Sequence, residues 1–345
     1  MTSIRCLALI FFFFFTTAAQ AQSWSVQTSG IDTDLRGIGA VYSLDSNGAR
    51  IATVWVAGSN GVILRSEDSG KTWKRLHVLD GDTLNFRGVA AFDANVAYVV
   101  SVGLSEKSRI YKTTDGGETW KLQYADKRKE FFLDAIACLS RTHCFALGDP
   151  VDGKFLILAT EDGEHWKELP SDSMPVALPQ EGAFAASGSC LIVQGESIYF
   201  GTGSPAARVF HSSDLGHTWT VTNTPVASGK STAGIFSLSA RAGTLFAVGG
   251  DYNDPPRSDH VAAFSRDRGK SWQLTTQQPG GFRSAVAVLK GETIIVVGPT
   301  GEDISHDGGA HWEGIGSLSL NAISVLDERN IWAAGPKGTI ARFVQ

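Results

Sequence analysis

The amino-acid sequence predicts an all-β fold, a seven-bladed β-propeller of four-stranded antiparallel blades. A motif with the pattern Ser/Thr-x-Asp-x-Gly-x-Thr/Ser/His-Trp occurs six times, once in a shortened form. The tryptophans that end these motifs, together with Trp24, follow one another at intervals of 40 to 53 residues, a spacing typical of a repeat array. The chain also has 38 glycines, which fits short strands joined by tight turns. At roughly 45 residues per repeat, the chain is long enough for seven blades.

Each part of this motif, the Asp-box (BNR-type), has a physical role in a tight hairpin. Asp68 is expected to accept hydrogen bonds from turn amides and from the Ser66 hydroxyl, and Gly70 supplies the positive φ that other residues resist. Trp73 then buries its ring against the neighbouring blade. In the third copy the interval from Asp162 to its tryptophan is four residues instead of five, which predicts a turn that is one residue tighter. The structural aspartates and tryptophans are Asp68, Asp115, Asp162, Asp214, Asp267, Asp307, Trp73, Trp120, Trp166, Trp219, Trp272 and Trp312.

The order of strand-like segments predicts how the ring closes. Each repeat reads as an inner strand, a second strand ending in glycine, a third entering the Asp-box and a fourth leaving its tryptophan, which places the Asp-box between strands 3 and 4. The inner strand of the fourth blade is predicted near Ala183. Residues 320–343 supply three strands without an Asp-box, and residues 24–27 resemble the missing fourth. The two chain ends are therefore predicted to share the seventh blade, which closes the ring and removes open sheet edges.

The first residues have the pattern of a secretory signal peptide. A short basic segment precedes an apolar run from Cys6 to Ala18, and Ala19-Gln20-Ala21 has the small-x-small pattern of a cleavage site. The apolar run is too short to span a bilayer, so no stable membrane insertion is expected. We predict a cleaved signal peptide at residues 1–21 and one propeller domain at residues 22–345. The expected location is exported, either periplasmic or extracellular.

Export implies an oxidising compartment, where disulfides persist. Cys138 and Cys144 flank a five-residue segment that reads as a hairpin, so a cross-strand disulfide between them is predicted. Cys190 is then left without a partner, since the fourth cysteine lies in the signal peptide.

Composition and motifs argue against several classes of ligand. The formal net charge is −5, with 30 basic and 35 acidic residues, which disfavours nucleic acid as a partner. Gly201-Thr202-Gly203 begins a pattern similar to a dinucleotide-binding loop, but no helix is predicted after it. No histidine or cysteine pairs occur at metal-ligand spacing. We therefore predict neither a cofactor nor a metal.

Function is expected on the face opposite the Asp-boxes, where the loops are least regular. There the strand 2 to 3 and strand 4 to 1 loops carry acidic groups, and three arginines begin inner strands. A concave surface of mixed charge suits a ligand or peptide. The alternative interpretations are ordinary turn chemistry for the acidic loops and ties between blades for the arginines. The candidate binding residues are Arg36, Arg87, Asp134, Asp149, Glu181, Arg208, Asp251, Tyr252 and Arg283.

Asp-boxes at this spacing, arginines that begin inner strands and the Trp55-Val56-Ala57-Gly58 strand end resemble the photosystem II stability and assembly factors and their non-photosynthetic bacterial relatives. The resemblance covers the chain after residue 21. It implies an arginine patch that holds an unassembled membrane-protein partner. Arg36, Arg87 and Arg283 match that patch, whereas Asp134 and Asn321 stand where further arginines are expected.

Two classes of function fit these features, because Asp-boxes also occur in sialidases, xyloglucanases and sortilin-type receptors. The first is an exported protein-binding or assembly and stability scaffold, with a protein or peptide partner and with carbohydrate as another candidate ligand. The alternative is a sialidase- or xyloglucanase-like glycoside hydrolase, with Asp149, Glu181 and Asp251 as its carboxylates. The sequence assigns no catalytic residue, and it lacks the Arg-Ile-Pro motif of sialidases.

Overall fold

The computed structural model describes residues 22–27, 29–44 and 47–344. These residues form seven four-stranded sheets, all antiparallel, which confirms the predicted seven-bladed propeller. The signal peptide predicted at residues 1–21 lies outside the described residues. Among the described residues, the helical structure is one 3-10 turn at Ser105–Lys107, and no helix is long and apolar enough to cross a membrane.

The chain begins with the outermost strand of the last blade and then builds the blades in sequence, each from its inner to its outer strand. That first strand is β1 (Ser23–Gln27). Blade 1 consists of β2 (Leu35–Leu44), β3 (Arg50–Gly58), β4 (Ile63–Ser66) and β5 (Lys74–Leu76), and blade 2 of β6 (Asn85–Ala91), β7 (Ala97–Val102), β8 (Arg109–Thr113) and β9 (Lys121–Ala125). Blade 3 consists of β10 (Leu133–Cys138), β11 (Cys144–Val151), β12 (Lys154–Thr160) and β13 (Lys167–Glu168).

Blades 4 to 7 repeat this order, and blade 7 takes β1 as its outer strand. Their strands are β14 (Leu191–Gln194), β15 (Ser197–Gly201), β16 (Arg208–Ser212) and β17 (Thr220–Asn223); β18 (Ala233–Arg241), β19 (Thr244–Asp251), β20 (Ala262–Ser265) and β21 (Gln273–Leu274); β22 (Ala285–Val288), β23 (Ile294–Gly298), β24 (Gly301–Ser305) and β25 (Glu313–Gly316); β26 (Ala322–Asp327), β27 (Asn330–Ala334) and β28 (Ile340–Val344).

The two ends of the chain close the ring as predicted. β1 pairs with β28 over five residue pairs, with Trp24 opposite Phe343 and their ring centroids 5.2 Å apart. Blade 7 then joins blade 1, because the Leu35 amide donates to the Gly335 carbonyl at 3.1 Å. The closed ring therefore depends on a strand that is contributed from the opposite end of the sequence.

The Asp-box turns have the predicted hydrogen bonds. In the first copy the Ser66 hydroxyl donates to Asp68 at 2.8 Å and accepts from the Gly70 amide at 2.8 Å, while Asp68 accepts from the Thr72 amide at 2.9 Å. Gly70 has a φ of +86°, and a Cβ there would lie 2.5 Å from Trp332 of blade 7. A side chain is thus excluded both by the backbone conformation and by the neighbouring blade.

The shortened third copy forms the tighter turn that its spacing predicts. The Thr160 hydroxyl accepts from the Gly163 amide, three residues later instead of four. Asp162 accepts from the amides of Glu164 and His165, both at 2.8 Å. The bonding pattern is preserved although the loop is one residue shorter.

The hydrophobic core lies between neighbouring blades. Trp120 of blade 2 packs edge-on against Trp55 of blade 1, with centroids 6.1 Å apart, and Trp166 of blade 3 makes the same contact with Tyr98 of blade 2. Trp55 and Trp332 are fully buried. Aromatic rings of this size account for much of the apolar surface that holds adjacent blades together.

Blade 3 contains the disulfide. Cys138 and Cys144 are directly opposite each other in β10 and β11 and are joined by a disulfide bond. Cys190 is a buried free thiol.

One predicted strand is displaced. The inner strand of blade 4 begins at Leu191 and not near Ala183, so that prediction was wrong. Residues 183–189 instead leave the sheet, and β14 is only four residues long. The physical reason is that these residues find polar partners at the centre of the ring, as described below.

Deleting residues 22–28 should strongly destabilise the fold, since blade 7 would lose its outer strand and the packing of Trp24 on Phe343. We expect a loss of about 3 kcal/mol or more in the free energy of unfolding. Differential scanning calorimetry and denaturant unfolding would measure it. Val26→Ala is the control, because Val26 is 55% exposed. An unchanged unfolding transition in the truncated protein would contradict closure through β1.

Replacing Asp214 with alanine should weaken a single hairpin without altering the rest of the ring. Asp214 accepts hydrogen bonds from the Thr218 hydroxyl and amide, which lower its pKa to about 2. The expected loss is about 1 to 3 kcal/mol in the free energy of unfolding near neutral pH. Because a lowered pKa stabilises above the unfolded value of 3.8, the difference should shrink as the pH falls towards about 2. Ser213→Ala, at an exposed neighbour, is the control.

Candidate functional site

The loops between strands 2 and 3 and between successive blades meet at one end of the ring, which we call the mouth. A cavity of about 490 Å³ opens there. Its lining residues come from every blade or from the loops that join them: Arg36, Arg87, Phe132, Asp134, Asp149, Ala183, Phe184, Ala185, Ala186, Phe236, Tyr252, Pro255, Phe282, Ser284, Pro299 and Asn321.

β-Bulges direct side chains into this cavity. At the ends of the strands near the mouth, the register between the first two strands shifts at one residue in blades 1, 2, 3 and 5, and a bulge of this kind turns the extra residue out of the regular alternation. The four residues at these shifts all line the cavity: Arg36, Arg87, Asp134 and Phe236. In blade 3 a second shift, between β11 and β12, occurs at Asp149. The acidic pair therefore lies on neighbouring strands of one blade.

Residues 183–189, which we call the crossing segment, run across the mouth. Arg87 donates from Nη1 to the Ala185 carbonyl at 2.7 Å, and Arg36 donates from Nη1 to the Ala186 carbonyl at 3.4 Å. At its far end the Ser189 carbonyl accepts from the Leu238 amide of blade 5 at 2.8 Å. The segment thus connects blades 1, 2 and 5, and two arginines of the mouth hold its backbone.

One side of the cavity is aromatic. Phe184 of the crossing segment stacks on Phe236, with centroids 3.9 Å apart and planes inclined by 12°. Phe282 packs edge-on against Phe236 at 4.7 Å, and Tyr252 is edge-on to both stacked rings. Tyr252 is 46% exposed, so this aromatic cluster extends to the surface.

Another part of the cavity lining is acidic and poorly neutralised. Asp134 is completely buried, and neither of its carboxylate oxygens has a hydrogen-bond partner among the described residues. Burial, with a further contribution from Asp149, raises the pKa of Asp134 well above its usual value, and Arg87 offsets this only in part. Asp149 accepts one hydrogen bond, from the Ala183 amide at 3.0 Å, while burial raises its pKa to about 6.

Of the two arginines that line the cavity, Arg36 is paired with a carboxylate and, among the described residues, Arg87 is not. Arg36 forms an ion pair with Asp34, Nε to Oδ2 at 2.5 Å, and Asn321 donates to the other oxygen of Asp34 at 2.7 Å. Burial, and next the nearby Arg36, lower the pKa of Arg87. Asn321 thus occupies a position where an arginine was expected and serves to link blade 7 to blade 1.

Five of the nine predicted binding residues line the cavity: Arg36, Arg87, Asp134, Asp149 and Tyr252. The other four form internal contacts. Arg208 and Glu181 are buried and form a two-pronged ion pair, with Nε to Oε1 at 2.8 Å. Arg283 is only 2% exposed and binds Asp303 of the same blade, with Nε to Oδ2 at 2.7 Å. Both arginines are thus held by internal carboxylates, but the Arg283 pair lies within one blade and is not a tie between blades.

Asp251 likewise serves its own loop, where it accepts from Lys230 at 2.7 Å and from the Thr232 hydroxyl at 2.6 Å. This bears on the hydrolase alternative, which needs two carboxylates facing one cleft. Of its three acids, Glu181 and Asp251 are each bound to a cation and do not line the cavity, and only Asp149 does.

The aromatic side of the cavity is a feature that the sequence pattern did not predict. Phenylalanines recur near the starts of blades 3 to 6, at Phe132, Phe184, Phe236 and Phe282. That recurrence was visible in the sequence, but a repeated phenylalanine in a propeller is ordinarily core. Phe86, near the start of blade 2, shows this, since it is fully buried in the hydrophobic core.

Comparison with known sequences is consistent with the motif analysis. Residues 111–122 match the family described as BNR/Asp-box repeat. A segment of 75 residues is 33% identical to the photosystem II assembly lipoprotein Ycf48 of Synechococcus sp. (strain CC9902). That segment is 21% of this chain and 20% of the relative, so the match spans about a fifth of the curated protein.

Solved structures match over nearly the whole chain. The structure described as YCF48 bound to D1 peptide has a TM-score of 0.67 at 17% identity, covering 95% of this chain and 99% of that one. YCF48 from Cyanidioschyzon merolae gives 0.66 at 16% identity, covering 93% and 99%. The RRP9 WD40 repeats give 0.63 at 10% identity, covering 94% and 99%. At such identities the likeness shows the fold alone. Together with the motif, these matches show an Asp-box propeller that resembles the photosystem II assembly factor family.

Replacing Asp134 with asparagine should stabilise the protein, and more so at higher pH. A raised pKa means that the folded state prefers the protonated acid, so the wild type loses stability as the pH rises above the unfolded value of 3.8. The neutral amide removes that loss, and we expect a gain of about 1 to 3 kcal/mol at pH 8. Thermal unfolding of both proteins across pH would measure it. Asp152→Asn, at an exposed position in the same blade, is the control. Equal stabilities at all pH values would contradict an unpaired Asp134.

Proposed function

We propose that this Asp-box propeller is an exported protein-binding scaffold that holds a peptide segment of its partner in the mouth, in an assembly or stability role similar to that of photosystem II assembly factors. The observation that carries the proposal is the cavity itself. Its volume of about 490 Å³ lies within the range of ligand pockets, and it combines an aromatic side with a few charged groups. Such a composition suits several residues of an extended chain.

The two faces of the propeller differ in what they leave available. On the Asp-box face, the turn amides and hydroxyls are used by the aspartates. On the mouth face, large apolar side chains project from the loops: Leu79, Leu104, Val176, Leu178 and Tyr252 are all more than a third exposed. Exposed apolar groups around a cavity are typical of a protein interface.

The crossing segment provides a second argument for a peptide ligand. Arg36 and Arg87 already bind two successive backbone carbonyls, at Ala185 and Ala186. A site that holds an internal segment by its main chain can hold a second chain alongside it by the same chemistry. The resemblance to a propeller whose structure is described as bound to a D1 peptide supports this proposal. The signal-like residues 1–21 and the Cys138–Cys144 disulfide support export.

The test is a selection from a random heptapeptide library displayed on phage, with synthetic peptides from the selected clones used for affinity measurements. Wild-type protein should enrich binders, and the double variant Arg36→Ala and Tyr252→Ala should bind them at least about tenfold more weakly, a change of about 1.4 kcal/mol. Both side chains are at least partly exposed in the mouth, so the fold should be preserved.

The matched control is Leu44→Ala with Lys71→Ala, which removes one exposed apolar and one exposed basic side chain from the Asp-box face. Its affinity should equal that of the wild type. Equal melting temperatures would establish that each variant is folded. Peptides that bind the mouth variant as tightly as the wild type would place the site elsewhere and overturn the proposal.

A further inference from the structure

In the described part of the mouth, the acidic side chains and not the arginines are the charged groups that are short of partners. Arg36 is neutralised by Asp34, and Arg87 donates to a carbonyl of the crossing segment. Asp134 has no hydrogen-bond partner in residues 22–27, 29–44 and 47–344, and Asp149 has one amide. A buried carboxylate without a partner is expensive, and natural proteins retain one chiefly where it has a function. Within the described residues neither acid forms an ion pair, although Arg87 is near Asp134.

We infer that the mouth recognises a lysine or arginine side chain of the bound peptide, with Asp134 and Asp149 as the receiving carboxylates. This inference rests on the proposed peptide-binding function and specifies its ligand. The acids lie on the adjacent strands β10 and β11, each at a β-bulge, and both line the cavity. Two carboxylates on one wall suit an ammonium or guanidinium group, which can donate to both.

The rest of the cavity fits the remainder of such a side chain. Phe132 directly precedes β10 and lines the cavity beside Asp134, and the stacked pair Phe184 and Phe236 lines it as well. Lysine and arginine have apolar stems that pack on such surfaces while their charged ends reach polar partners. An organic cation fits better than a metal ion, since in the described part of the chain no cluster of three or more histidine, cysteine or acidic residues could hold a metal.

Binding of a cation should be coupled to the protonation of Asp134 and Asp149. The groups that face Asp134 are Asp149, Arg87 and the buried thiol of Cys190, and burial raises the pKa of both acids. The acids of a free mouth therefore keep their protons to a higher pH than exposed carboxylates do. A bound cation favours the ionised carboxylates, so binding should release protons to solvent, and affinity should rise with pH.

The experiment uses the peptides selected from the heptapeptide library that depend on Arg36 and Tyr252. We expect them to share a lysine or arginine. Replacing that residue by norleucine or citrulline, which keep the length but not the charge, should weaken binding at least about tenfold at pH 8 and less at about pH 5. Isothermal titration calorimetry in two buffers of different ionisation enthalpy should show proton release for the charged peptide only.

Asp134→Asn and Asp149→Asn should each remove most of the preference for the charged peptide and reduce the proton release. Asp152→Asn, exposed in the adjoining turn of the same blade, should change neither. Mouth-dependent peptides that lack a basic residue, or that bind equally well after its replacement, would overturn this inference and leave the proposed function standing. Absence of any mouth-dependent peptide would overturn both.

Discussion

The pairing of β1 with β28 is the constraint on which the rest of the molecule depends. The cavity is not built within a single blade, since Arg36 comes from blade 1, Arg87 from blade 2, the two acids from blade 3 and Phe236 from blade 5. Their relative positions are fixed only if the ring is closed. Every residue of the mouth is therefore positioned by a hydrogen-bonded contact between segments more than 300 positions apart in the sequence.

The two ends of the blades differ in where their polar groups find hydrogen-bond partners. At one end, the hydroxyl of each Asp-box binds the aspartate two residues later and the amide of the box glycine, so the turn is satisfied within a few residues. At the other end, partners come from distant parts of the chain, as for Arg36 and Ala186, which are 150 residues apart. Because the Asp-box forms its hydrogen bonds within a few residues, the motif can repeat from blade to blade. Because the mouth residues bind partners far away in the sequence, each loop of the mouth is different.

This division also explains what the sequence could predict. Blade number, Asp-box turns, ring closure and even the shorter third turn follow from spacing and local chemistry, which a linear pattern records. Arg36, Arg87 and Asp134 could be identified because they recur at one position of the repeat. Arg283 occupies that position too, but its ion pair with Asp303 on β24, the third strand of the same blade, keeps its side chain inside the blade. Residues 183–189 resemble an inner strand, and nothing local indicates that Arg36 and Arg87 hold their carbonyls.

Ring closure through β1 and β28 has a consequence for how the propeller can be attached to something else. β1 runs towards the mouth as the outer strand of blade 7, and β28 runs the opposite way beside it, so Ser23 and Val344 face each other in register. Both ends of the described chain thus lie on the Asp-box side. A tether, fused domain or immobilising tag joined at either end would extend away from the cavity. The molecule can therefore be attached through its Asp-box side while the mouth stays accessible, and an immobilised sample can be oriented in the same way.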